Sequence, residues 1–248
     1  MLRFPLRTAT FAGVTVSMYG LMEAECALAH DKAAVMQKWV RRFGRAMLAL
    51  YGVNLRTEGF PCSPRDARGR GRLFVMNHRS GLDIPVSLAC FDACIVSRAD
   101  LAAWPIIGRP ARRVGTLFVD RTSKRSGAAV LEAMRRTLES GRGVMIFPEG
   151  TTFSGDEVRP FHPGAFRAAQ RAGAEIVPVG IAYDGEAASF VEESFLLHMR
   201  RVSEAPYTNA ALSVGAPIAA EDYKALHRAT HDAVQKHVYR ARELLRQG

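Results

Sequence analysis

His78 and Asp83 stand five residues apart in the segment Asn77-His78-Arg79-Ser80-Gly81-Leu82-Asp83. Across a Ser-Gly turn that spacing lets a carboxylate reach back to one ring nitrogen, fix the tautomer and leave the other nitrogen to accept a proton. An imidazole held in this way is a general base. The chain has no Gly-x-Ser-x-Gly elbow and no cysteine beside the histidine, so the nucleophile it activates belongs to the substrate. A plainer reading makes His78 a satisfied strand-end residue and Asp83 the N-cap of the helix that Ile84-Pro85-Val86 begins.

Two further segments carry groups suited to holding such a substrate. Arg121 follows Thr116-Leu117-Phe118-Val119-Asp120, and its guanidinium fork fits phosphate oxygens, or else pairs with Asp120 or Glu149. Glu149-Gly150-Thr151 follows Val144-Met145-Ile146-Phe147-Pro148. Gly150 allows a tight turn at positive φ, and the glycine amide with the Thr151 hydroxyl can hold polar substrate atoms. Backbone amides near Gly81 or Gly150 are the candidate donors to an oxyanion. His227 and His231 have i, i+4 spacing, but no Glu follows the first as in a His-Glu-x-x-His site, so they read as a solvated helix face and no metal is expected.

These residues need elements that bring them together. Leu73–Met76, Cys94–Ser97, Thr116–Val119, Val144–Phe147 and Ile176–Ile181 read as short buried strands. A helix lies between the third and fourth, with Val130, Leu131, Met134 and Leu138 on one face and Gly141 closing it. The pattern implies an α/β fold with a largely parallel or mixed sheet covered by helices. In such sheets ligands bind beyond the carboxyl ends of the strands, where His78, Arg121 and Glu149 all fall.

Residues 1–58 read as a separate N-terminal segment. Thr8 to Met22 is uncharged but, at fifteen residues, short of the roughly 20 a bilayer span needs. Ala27-Leu28-Ala29 resembles a signal-peptide cleavage site, although Glu23 and Glu25 sit where that region is usually neutral. After Asp31, Met36, Trp39, Val40, Phe43, Met47 and Leu50 recur at helical spacing opposite Lys38, Arg41, Arg42 and Arg45. A basic amphipathic helix behind an apolar one suits the cytoplasmic face of a membrane, peripheral or shallowly anchored, with membrane lipid as a partner. Residues 60–71 read as a loop, residues 59–248 as the α/β domain, and a last amphipathic helix runs from about Glu221 to Arg246.

Composition agrees with one packed domain: 48% of the residues are apolar and 23% charged. Lys and Arg number 34 against 24 Asp and Glu, a net charge of +10, which calls for an anionic partner. No basic stretch is interleaved with aromatics, so nucleic acid is not expected. Four cysteines without a Cys-x-x-Cys pair read as free thiols.

The segments 77–83, Gly115–Arg121, Phe147–Thr151 and Ile176–Val179 together resemble the four ordered blocks of the glycerolipid acyltransferase family, which includes 1-acylglycerol-3-phosphate acyltransferase. The resemblance covers residues 72 to 182 and implies transfer of an acyl chain from acyl-CoA or acyl-carrier protein to the free hydroxyl of a lysophospholipid. The thioester is a co-substrate, and no cofactor is implied. His78 matches the family's general base, Asp83 its orienting carboxylate, Arg121 its phosphate-binding arginine, and Glu149, Gly150 and Thr151 its acceptor-holding block. The expected acceptor is 1-acylglycerol-3-phosphate. Thr152 stands where phosphatidate-forming members frequently carry Arg, which extends the resemblance to branches acting on other lyso-lipids, including amino-acid-containing ones. A thioesterase or hydrolase using the same pair to activate water is the alternative. Nine basic residues between Arg98 and Arg136, against Asp100, Asp120 and Glu132, form a surface suited to an acidic carrier protein or the phosphates of CoA.

Overall fold

Alternation along one strand sorts the molecule into layers. In this computed structural model, which describes residues 2–247, Leu73 and Val75 point into one apolar cluster while Phe74 and Met76 point into another. Both faces of the sheet are therefore covered, as its nearly continuous apolar strands require. The elements are α1 Arg3–Leu28, α2 Lys32–Leu50, β1 Val53–Glu58, β2 Leu73–Met76, α3 Asp83–Cys90, β3 Ala93–Arg98, α4 Gly108–Arg113, β4 Leu117–Val119, α5 Lys124–Glu139, β5 Gly143–Ile146, α6 Gly164–Ala172, β6 Ile176–Tyr183, α7 Phe195–Glu204, β7 Thr208–Val214 and α8 Tyr223–Arg246. One core cluster packs α1, α2, α3 and α7 on the sheet, and the other packs α5, α6 and α8 on its reverse.

The sheet order is β1-β7-β6-β2-β5-β3-β4, with every pair parallel except β6 and β7. β2 lies near its centre, and β5 and β6 flank it. The carboxyl ends of β2, β5, β3 and β4 consequently open on one edge.

Local chemistry accounts for the helices. Asp31 caps α2, accepting from the Ala34 amide at 3.0 Å, and Ser123 caps α5 through Ser126 at 3.2 Å. Val130, Met134 and Leu138 are the buried stripe of α5, and Gly141 at φ +81° ends it. Gly44 lets α2 lie directly on α3: a Cβ there would stand 2.4 Å from the Ala89 nitrogen. The four cysteines are free, and burial pushes the Cys90 thiol up to about 11.

The N-terminal boundary differs from the sequence reading. Residues 53–58, expected to close a separate segment, form β1 and pair along their whole length with β7. Met47 and Tyr51 at the end of α2 are part of the main core. α2 and β1 are thus built into the α/β body, because the apolar face of α2 is covered by α3 and the sheet and β1 pairs with β7. α1 is one helix of 26 residues, longer than its uncharged stretch. His227 and His231 also depart from a solvated face: both rings pack edge-on against Phe161, and His227 Nε2 lies 3.0 Å from the Phe161 carbonyl.

Candidate active site

β2 ends at Met76, and the next residue extends its pairing with a side chain. The Asn77 amide takes the Ile181 N–H at 2.8 Å and donates to the Ile181 carbonyl at 3.0 Å. The backbone is then free to leave the sheet, and His78 emerges at its edge.

The His78 Nδ1 lies 2.6 Å from Asp83 Oδ2, and the imidazole stacks on Phe147 with ring centroids 4.3 Å apart. Its side chain is 19% exposed, whereas Asp83 is fully buried. With Nδ1 facing a carboxylate, Nε2 is the nitrogen left to accept a proton. Asp83 lies in the first turn of α3 yet makes no cap bond there. Its Oδ2 turns back to accept from the amides of Arg79 at 2.7 Å and Ser80 at 2.9 Å, so the N-cap reading fails.

Glu149 arrives from the neighbouring strand β5 and meets the same turn. Its carboxylate accepts from the His78 amide at 2.6 Å, from the Arg159 amide at 2.8 Å and from Arg79 Nη1 at 2.9 and 3.1 Å. The Arg79 guanidinium is buried with it and also reaches the carbonyls of His78, Gly155 and Glu157, each at 2.8 Å. Glu149 therefore holds the histidine turn, and its oxygens are already occupied by the chain. Gly150 turns at φ +81° beside His162, and a Cβ there would stand 2.8 Å from His162 Nε2. Thr151 is exposed, and the Phe153 amide returns to the His78 carbonyl at 3.1 Å.

Arg121 stands apart from this group. β5 and β3 lie between β2 and β4, which puts the end of β4 about 14 Å to the side at three strand spacings. Arg121 is an exposed residue whose guanidinium, partly desolvated, has no hydrogen-bond partner among the described residues. Desolvation and the neighbouring Arg98 lower its pKa, and Asp100, which pairs with Arg98 at 2.9 Å, opposes them. Neither Asp120 nor Glu149 is its partner: Asp120 binds Thr122.

Of the amides near Gly81 and Gly150 considered as oxyanion donors, those of the two glycines themselves are occupied. Gly81 N donates to His198 Nε2 at 3.0 Å, and Gly150 N to the Phe147 carbonyl at 3.1 Å. Several contributors escaped the sequence reading. His198, from α7, is fully buried and stacks on Phe190, and burial lowers its pKa to about 4. Tyr183, at the end of β6, donates its phenol to Asp83 Oδ1 at 2.7 Å. A strand-end rule applied to β6 points to Tyr183; nothing local marks His198.

A family model described as acyltransferase matches residues 56–182, just over half of the chain. The chain belongs to the acyltransferase family. It is an O-acyltransferase of the type its relatives represent. The lyso-ornithine lipid O-acyltransferase of Pseudomonas aeruginosa is 29% identical over 246 residues, 94% of this chain and 93% of that protein. The 1-acyl-sn-glycerol-3-phosphate acyltransferase of Neisseria meningitidis is 31% identical over 147 residues, covering 59% of this chain and 56% of that one. The crystal structure of the 1-acyl-sn-glycerophosphate acyltransferase from Thermotoga maritima superimposes with a TM-score of 0.74 over 96% of both chains at 20% identity, which shows a common fold.

Proposed function

We propose that this acyltransferase moves an acyl chain from a thioester, acyl-CoA or acyl-carrier protein, to the free hydroxyl of a lyso-lipid, with His78 as general base. The observation that carries this reading is the division of labour on the ring: Nδ1 is tied to buried Asp83, while Nε2 is left to the substrate. The acceptor hydroxyl gives its proton to Nε2 as its oxygen attacks the thioester carbonyl from about 3 to 3.5 Å. The tetrahedral intermediate collapses with loss of thiolate, which takes the proton back from the imidazolium. Asp83 stabilises that imidazolium and keeps the ring oriented. General-base help of this kind is worth roughly 10²- to 10⁴-fold.

In this reading Glu149 and Arg79 position the histidine turn, Gly150 and Thr151 border the acceptor, and Arg121 with Arg98 receives an anionic group of one of the substrates. The acceptor favoured is a lyso-ornithine lipid, supported by a relative of that name aligned over nearly the whole chain and by Thr152 in place of Arg. The Arg121 guanidinium keeps 1-acylglycerol-3-phosphate as the second reading.

The setting proposed is the cytoplasmic face of a membrane, against which α1 rests. Leu6, Val16, Leu21 and Leu28 project from α1 into solvent, with Leu2 just before it, an apolar stripe suited to lipid. No helix among the described residues is long and apolar enough to cross a membrane.

The test is an assay of the purified chain with labelled acyl-CoA and acyl-carrier protein, offered lyso-ornithine lipid, 1-acylglycerol-3-phosphate or no acceptor. Label should enter the diacylated lipid only when an acceptor is present. Free fatty acid released at the same rate without acceptor would make it a hydrolase.

A further inference from the structure

Asp83 is gripped from below as well as from its own turn. Its Oδ2 faces His78 and two amides, and its Oδ1 receives the Tyr183 phenol at 2.7 Å from β6. β2 and β6 are adjacent, with Met76 opposite Val179. The Asn77 side chain carries that pairing on to Ile181, and Tyr183, two residues further and on the same face, comes beneath the His78–Asp83 turn. Its main chain is anchored too, since Arg242 donates to the Tyr183 carbonyl at 2.7 Å while Asp156 holds the same guanidinium at 2.8 and 2.9 Å.

A phenol this deep needs a partner for its hydroxyl, and Asp83 is that partner. Burial, and then the charge of Asp83, raise the Tyr183 pKa well above its ordinary value, so the O–H stays a donor at any working pH. The other charged groups around the pair are Arg79 and Glu149, bound to each other, and His198 beyond the Gly81 amide, which is neutral above its pKa of about 4.

We infer that Tyr183 is a positioning residue of the acid–base pair, the third member of a Tyr183–Asp83–His78 relay that fixes the carboxylate plane and sets the basicity of His78. The inference rests on the reading of His78 as base. Without the phenol, carboxylate charge concentrates on Oδ2, the imidazolium is held more tightly, and His78 keeps its proton to higher pH. The carboxylate is also free to turn, and the ring loses its fixed orientation.

The experiment compares full-length wild type, Tyr183→Phe and His78→Ala in acyl transfer as a function of pH, with thermal unfolding alongside. For Tyr183→Phe the relay predicts a kcat lower by about ten- to a hundredfold, the cost that loss of a hydrogen-bond partner behind a ligating histidine carries in metal sites. It also predicts KM unchanged within about twofold and an acid limb of the rate profile displaced upward, because Asp83 without the phenol is a stronger acceptor for the imidazolium. A plug that only fills space would lower the melting temperature and leave the limb in place. Should Tyr183→Phe not fold, replacing the tyrosines with 3-fluorotyrosine makes the phenol a stronger donor at nearly constant volume, and the limb must move downward. A folded Tyr183→Phe protein with wild-type kcat and limb, or a fluorinated chain with an unmoved limb, overturns the relay. If His78→Ala is inactive in the same series, the base assignment survives that outcome; if His78→Ala is active, the base itself has failed.

Discussion

Glu149 and Arg79 show how far a residue's surroundings decide its task. The Glu149 carboxylate has no exposed surface and is saturated by donors from the chain, so its loss is felt in stability before it is felt in substrate affinity. Glu149→Ala would leave the Arg79 guanidinium buried and unpaired, and denaturant unfolding should show a loss of about 3–5 kcal/mol. His198 gives a pH-dependent counterpart. It is buried neutral with a pKa near 4, whereas in the unfolded chain it titrates near its ordinary value of about 6.5. Below that value the unfolded state binds a proton that the native state refuses, so this contribution to stability declines as pH falls from about 6.5 toward 4. Melting temperatures across that window should fall in the wild type and fall less in His198→Asn, in which Glu193 and Arg201 still face the site. His78 and Asp83 could be recognised from spacing because their partnership spans five residues. Tyr183 and His198 could not, because their partners lie 100 and 117 residues away in the chain.

At the level of elements, β2, β5 and β6 were legible because burial on both faces leaves each one a plain apolar run, and β3 and the half-buried edge strand β4 because short apolar runs remain in them. β1 and β7 were not. β1 is an edge strand with exposed polar positions, and β7 carries small residues on both faces, Ala211 against Ala241 of α8 and Ala210 in the opposite cluster, that give no run of large apolar side chains. α7 was missed for a related reason: Leu196 and Leu197 face outward, blurring its helical period. α2 was read correctly as amphipathic, but periodicity does not say what covers its apolar face, and the Gly44 contact with α3 supplies the answer. Gly44→Ala would force the α3 backbone away, since the new methyl meets Ala89 main-chain atoms and not a movable side chain. An overpacking cost of about 1–3 kcal/mol is expected, seen as a lower melting temperature with the secondary-structure spectrum retained.

Across the whole molecule, one edge of the sheet gathers the His78 turn, the Glu149 turn and, three strands away, Arg121. The sequence located each at a strand end. It did not show that Glu149 faces inward or that Arg121 stands to the side, because strand order is set by crossovers that leave no local trace. The apolar outer stripe of α1 lies on the same molecule as a net charge of +10, a combination that suits an enzyme meeting lipid at a surface. On the proposed reading, what unites these features is proton removal by His78 from a lyso-lipid hydroxyl. The most direct test is the rate of label transfer from acyl thioester to lyso-lipid by His78→Ala protein whose thermal unfolding matches the wild type. The rate should fall by at least about 10²-fold, as expected when a general base is removed. Transfer at the wild-type rate by that folded variant would contradict the assignment.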